Sequence, residues 1–394
     1  MSKYHILKSI SIIILIVISQ FSVKAQGVVT NPGTIIGSDT TRKVITTAVP
    51  FLSVAPDARS GAMGDVGVAL SPDANSTNWN PAKLVFLESQ IGASISYTPW
   101  LGKIINDMSI SYLSGYYKIS REQAVALSFR YFDLGDITFR EDAVDQGIRF
   151  NPREYAISGY YSRMLTDQFS IGVGMRFIRS NLTGSFTNSS ANIDSRPGSS
   201  VAADISVYYA KDLLLSGKNS HLAFGADISN IGRKITYTNE DNRDFIPTNL
   251  RLGTAFTTSL DPFNTLTFAF DINKLMVPTP SADSNEKTLL SGMFSSFGDA
   301  PGGFSEEIQE LMLSFGIEYW YNKTFAARTG YFYENKEKGN RRYLTMGVGF
   351  RYQVFGIDFA YLIPSERTHP LAETLRFTLL FDLDKGNVEE SIVE

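Results

Sequence analysis

Between about Gln90 and Asp384, single apolar residues alternate with single polar or small ones. That is the period of a β-strand, whose successive side chains point to opposite faces of a sheet. Leu266, Phe268, Phe270 and Ile272 fall on one face, and Thr267, Ala269, Asp271 and Asn273 on the other. The split recurs in Leu222, Phe224, Ala226 and Ile228 against Ala223, Gly225, Asp227 and Ser229. It recurs again in Leu375, Phe377, Leu379 and Phe381 against Arg376, Thr378 and Asp382. About fourteen strands are predicted in this way, at roughly 90–98, 107–118, 122–133, 153–163, 168–182, 200–211, 220–231, 247–259, 265–276, 311–321, 325–335, 341–353, 355–363 and 374–383.

Water-soluble sandwiches alternate in the same manner, so the connections discriminate. Tight links follow strands two, four, eight, ten and twelve, as in Thr166-Asp167-Gln168, Asp261-Pro262-Phe263-Asn264 and Asn322-Lys323-Thr324. Long ones follow three, five, seven and nine: Leu134 to Pro152, Thr183 to Ser199, Gly232 to Ile246, and Val277 to Glu310. Short turns on one rim, long loops on the other and an even strand count predict an all-β fold. It is a transmembrane antiparallel β-barrel over 90–384, seated in a Gram-negative outer membrane with its long loops extracellular. The sixth link, Asp212 to Asn219, is expected to be long for the short-turn side. An internal echo, Ile171–Phe177 and Met346–Tyr352, fixes how its strands face. Val173, Met175 and Phe177 belong toward lipid, and Gly172, Gly174 and Arg176 toward the lumen, because an arginine in mid-membrane lipid costs about 2–4 kcal/mol.

The start of the chain has Lys3 and Lys8, an apolar run from Ile10 to Phe21 and the small-residue pattern Val23-Lys24-Ala25. These predict a cleaved signal peptide over 1–25, its apolar run being shorter than the ~20 residues of a spanning helix. Cysteine is absent, which removes disulfides, thiol nucleophiles and thiolate metal sites. A formal charge of -4 leaves no electrostatic footprint for nucleic acid. Tyr 19, Phe 27 and Gly 31 suit a sheet that faces two different solvents.

Residues 26–89 are too many for a plain linker between signal and first strand. They are rich in Gly, Ala, Ser and Asn, with Gly61, Gly64 and Gly67 at spacing three, then Pro72 and the run Ala74-Asn75-Ser76-Thr77-Asn78-Trp79-Asn80-Pro81-Ala82-Lys83-Leu84. Such a segment builds no core of its own. It is expected to be an N-terminal plug inside the barrel, its asparagines bonding to inward Arg, Thr and Asp and Trp79 packing against the wall. Each polar group satisfied there avoids an uncompensated burial of about 1–3 kcal/mol. Gly61, Gly64, Gly67, Trp79, Asn80, Pro81 and Ala82 are the candidate lumen residues, and 385–394 is a short C-terminal tail.

The block Arg59-Ser60-Gly61-Ala62-Met63-Gly64-Asp65-Val66-Gly67-Val68-Ala69, followed by Ser71 to Lys83, resembles the N-terminal signature of the PorV family. These are outer-membrane proteins of the Bacteroidetes type IX secretion system, and the resemblance extends over the mature chain. The shorter Asn80-Pro81-Ala82 core is similar to the broader FadL-like barrels, which carry long-chain fatty acids and other hydrophobic compounds. The PorV resemblance implies a barrel plugged from the periplasmic side. It also implies binding of cargo through a C-terminal signal domain after passage through the translocon barrel. Delivery then follows to a PorU-like sortase of the attachment complex, which joins cargo to lipopolysaccharide. The FadL-like alternative implies a transporter of hydrophobic small molecules.

The longest loop places Leu289, Leu290, Met293, Phe294, Phe297, Phe304 and Ile308 together. One reading is a short helix capping its own rim; the other is a docking surface for cargo or translocon. Asp133, Asp136, Glu141, Asp142 and Asp145 form an acidic stretch whose spacing departs from the calcium loop D-x-[DN]-x-[DN]-G, so a solvated loop is favoured over a metal site. Outside the signal only His221 and His369 are available to a hydrolytic site. They are expected at opposite rims, which argues against an enzyme, and no cofactor is expected.

Overall fold

The computed structural model describes residues 44–101, 107–139, 148–182, 186–188, 193–238, 243–281, 284–365 and 374–383. The predicted signal peptide and C-terminal tail lie outside them. The strands are β1 (Ile91–Pro99), β2 (Ser109–Ser120), β3 (Gln123–Asp133), β4 (Ile137–Phe139), β5 (Ile148–Phe150), β6 (Arg153–Thr166), β7 (Phe169–Asn181), β8 (Phe186–Asn188), β9 (Ile193–Ser195), β10 (Gly198–Leu215), β11 (Lys218–Gly232), β12 (Asn249–Ser259), β13 (Asn264–Leu275), β14 (Met312–Tyr321), β15 (Phe325–Tyr333), β16 (Arg342–Tyr352), β17 (Phe355–Pro364) and β18 (Leu375–Leu383). All but β4, β5, β8 and β9 close one antiparallel barrel, sealed where β1 pairs with β18, Ile91 opposite Leu383 and Tyr97 opposite Phe377. The fourteen predicted runs coincide with these fourteen strands. The remaining four form two small hairpins, β4–β5 and β8–β9, that the alternation did not signal.

Side-chain facing follows the alternation. In β7, Val173, Met175 and Phe177 are exposed on the outer wall, whereas Arg176 is 8 % exposed and points inward. In β13, Phe268 and Phe270 face out while Thr267, Ala269, Asp271 and Asn273 are buried inside. A one-residue slip in any strand would put such charges into hydrocarbon, so register is strongly fixed.

The tight rim differs from expectation at one place. β10 and β11 run on past Asp212 and Asn219 to a two-residue link, Ser216-Gly217, whose φ values are 51° and 75°. Paired positive φ values match the right-handed twist of the flanking strands, as in the Asn322-Lys323 link, with φ of 50° and 51°. The run Leu213-Leu214-Leu215 breaks the alternation and concealed these strand ends in the sequence.

The lumen also departs from uniform polarity. At its long-loop end Phe51 and Leu52 pack against inward Ile110, Phe132, Ile178 and Ile246, with the Phe51 and Phe132 rings 6.3 Å apart. Farther down, inward positions turn to Ser, Thr and paired charges.

Candidate functional site: the filled lumen and the 276–311 loop

Residues 44–90 run from the long-loop rim to the tight-turn rim. Ala48 donates its N–H to the Phe245 carbonyl at the first (2.9 Å), and the Leu87 carbonyl accepts from Lys118 Nζ at the second (2.5 Å). The described part of the segment therefore spans the height of the barrel between its two rims.

Asn80, Pro81 and Ala82 lie against β6, β7 and β10. Asn80 is the N-cap of a 3-10 turn over Pro81–Phe86: its Oδ1 accepts from Ala82 N–H at 3.0 Å. Its Nδ2 donates both to Val68 O (3.1 Å) and to Val207 O in the wall (3.0 Å). Pro81 at the first position has no N–H to leave unsatisfied. The Ala82 carbonyl accepts from Ser162 Oγ (3.1 Å) and Ser170 Oγ (2.6 Å). Gly172 in β7 makes room for it, because a Cβ there would sit 2.5 Å from Ala82 N. Asn75 and Asn78 meet the wall as well, accepting from Ser94 Oγ (2.5 Å) and from Arg130.

Trp79 is 5 % exposed. Its Nε1 donates to Asp57 Oδ1 (2.7 Å), and Asp57 Oδ2 accepts from Ser60 N–H (2.8 Å), capping the turn Ala58–Gly61. One carboxylate thus joins two parts of the plug. The Arg251 guanidinium lies 5.1 Å from the indole centroid. Gly67 lies on the ring, where any Cβ would overlap it. Gly67 and Val68 N–H both donate to Asp271 Oδ2 (2.7 and 3.0 Å). The Gly67 carbonyl accepts from Lys83 Nζ at 2.6 Å.

Gly64 has φ of 72°, and a Cβ would stand 2.6 Å from Tyr331 N. Backbone touches backbone here, which only glycine allows. Gly61 has the Arg376 side chain where its Cβ would be. Arg376 Nη1 pairs with Asp65 at 2.9 Å.

The strongest fastening was not foreseen. Arg59 binds Glu318 through Nε (3.0 Å) and Nη2 (2.8 Å), and its Nη1 reaches Asp73 (3.0 Å). Glu318 also accepts from Arg328 Nε (2.6 Å). Arg328 then pairs with Asp358 (2.7 Å), and Asp358 with Arg351 (2.7 Å). The signal lay in the strand pattern, where Glu318, Arg328 and Asp358 each occupy an inward position. Glu318 and Arg328 stand directly opposite each other on neighbouring strands, whereas the arrival of Arg59 from the plug carries no local mark.

The loop contains two short helices, Leu289–Ser295 and Phe304–Gln309. Thr288 caps the first, accepting from Ser291 N–H. Gly292 and Met293 pack inward, where Gly292 lies against Phe245. Lys274 pairs with Glu307 (3.1 Å) and Glu310 (2.7 Å), and Lys338 with Glu306 (2.6 Å) and Glu310 (2.9 Å). These pairs hold the loop to the rim. Leu289 is half-buried, but Leu290, Phe294, Phe297, Phe304 and Ile308 are exposed, Phe304 by 81 %.

A family model for the type IX secretion system protein PorV matches residues 37–282, more than half of the chain. The chain belongs to the PorV family. It is an outer-membrane component associated with type IX secretion. No curated protein matches it. Among solved structures it is similar to the Ralstonia pickettii toluene transporter TbuX, at 12 % identity over 82 % of this chain and 97 % of that one, with a TM-score of 0.46. A Pseudomonas aeruginosa FadL homologue gives 11 % identity over 86 % and 99 %, with a TM-score of 0.44.

In this PorV-family barrel the other candidate residues that the structure describes lie apart from the lumen. His221 is at the tight-turn rim, its Nδ1 2.8 Å from the exposed Asp212 carboxylate; His369 lies outside the described residues. Asp133 accepts from Gly135 N–H (3.0 Å) and Asn151 Nδ2 (3.1 Å), while Glu141, Asp142 and Asp145 lie outside the described residues. Among the described residues no three acidic or histidine side chains are grouped to hold a metal.

Proposed function

We propose that this barrel carries secreted cargo by its rim and loops, binding the C-terminal signal domain as cargo leaves the translocon barrel. It then passes cargo to a PorU-like sortase of the attachment complex at the lipopolysaccharide-bearing surface. Membership of the PorV family carries the reading. The filled middle of the lumen supports it: the cavities beside Trp79 and Arg176 have volumes of about 50 and 10 Å³, far below the ~300–1,000 Å³ of a small-molecule site, and a hollow of about 390 Å³ lies at the long-loop mouth, between residues 44–54 and Leu275, Glu310, Met312 and Arg341. Transport of hydrophobic small molecules, the alternative, would require the plug to release Arg59 from Glu318 and open a path. Leu290 and Phe294, on the first helix of the loop, are our candidates for contact with translocon or cargo, since exposed apolar side chains on a rigid scaffold mark partner sites.

Affinity purification of the tagged full chain from its native membrane tests this. Translocon and signal-bearing cargo should copurify, and deletion of residues 288–304 should reduce their recovery while the barrel stays folded. Recovery unchanged by the deletion would remove the loop from the reading. Fatty acid in place of protein would favour transport.

A further inference from the structure

The second helix of the loop overhangs the outer wall. Between them is a hollow of about 380 Å³, with Leu250, Leu252 and Ile272 as its wall side and Phe297, Phe304 and Ile308 as its loop side. Leu250 and Leu252 in β12 and Ile272 in β13 occupy outward positions, in register with the lipid-facing band: Leu252 is opposite Ile272, and Phe270 lies two residues along the same face. The hollow is therefore an extension of the surface that meets hydrocarbon. Its charged border, Lys274 with Glu307, is closed by their mutual pairing at 3.1 Å. Phe304 and Ile308 sit on the helix that this pair holds down.

We infer that this groove seats one acyl chain of a membrane lipid from the leaflet on the long-loop side. Three observations converge on hydrocarbon. The wall side is continuous with the membrane-facing barrel. The loop side offers large apolar side chains that water would solvate poorly. The nearby charges satisfy each other, which leaves no unmatched group to call for a polar ligand. A cleft of this size fits one slender chain, within the ~300–1,000 Å³ span of small-ligand clefts. The inference rests on membrane seating alone and stands or falls separately from the cargo reading.

The chain has no cysteine, so single reporters can be placed cleanly. The full-length barrel carrying Phe304→Cys, Ile308→Cys or, for comparison, Leu290→Cys is labelled with a fluorophore. It is reconstituted in nanodiscs of palmitoyl-oleoyl phosphatidylcholine containing a chain-nitroxide analogue. Reporters at 304 and 308 should be quenched severalfold more by the nitroxide lipid than by aqueous iodide, with the reverse at 290. Leu252→Trp, which fills the groove from the wall, should cut lipid quenching at 308 at least twofold. Iodide-dominated quenching at 304 and 308 overturns the proposal, as does lipid quenching that Leu252→Trp leaves unchanged, since the chain would then merely pass by.

Discussion

In the lumen, Arg59, Glu318, Arg328 and Asp358 are buried against one another, and the segment they fasten keeps its apolar side chains hidden. At the 276–311 loop, Glu307 and Glu310 are buried with Lys274 of β13 in the same manner, yet Leu290, Phe294 and Phe304 remain outside. Buried ion pairs thus fix position in both regions. The difference lies in what the fixed element presents. The plug presents nothing, and the loop presents apolar surface to a second medium.

The comparison is broken most directly at Glu318. Glu318→Ala leaves two guanidinium groups buried without their shared acceptor, and a loss of about 3–5 kcal/mol is expected, read as a lower urea midpoint for the barrel in micelles. An unaltered midpoint would mean that the charges do not fasten the plug. Asp57→Ala should cost about 2 kcal/mol, since it orphans Trp79 Nε1–H and the Ser60 N–H together. Red-shifted Trp79 emission is the additional readout, and its absence would count against the junction.

The smallest stability effect belongs to the loop. Phe294→Ser, at a side chain 70 % exposed, should move the midpoint by less than about 0.5 kcal/mol while reducing recovery of translocon or cargo. A large destabilisation there would recast the loop as part of the barrel's own packing.

Much of this architecture is legible in the sequence because strand facing is a local property. Phe268 beside Thr267, or Arg176 beside Met175, already says which side is lipid. The plug is legible by exclusion, since a Gly- and Asn-rich segment has to bury itself in something else. Arg59 and Glu318 are 259 residues apart, and their meeting depends on the register of every strand between. The three-residue pairings β4–β5 and β8–β9 are too short to show a period. The apolar collar around Phe51 escaped notice because Tyr131 beside Phe132 and Phe177 beside Ile178 are apolar too, while Ile110 between Ser109 and Ser111 reads by itself as a lipid-facing position.

Asp65 reaches Arg376 across 311 residues of sequence, and the seam between β1 and β18 closes around a segment that precedes both. The N-terminal stretch is made first, yet its buried pair with Arg376 can form only once β18 is in place. Docking of the stopper and closure of the cylinder therefore draw on the same contacts, and a barrel still missing its final hairpin lacks part of what fastens its own filling.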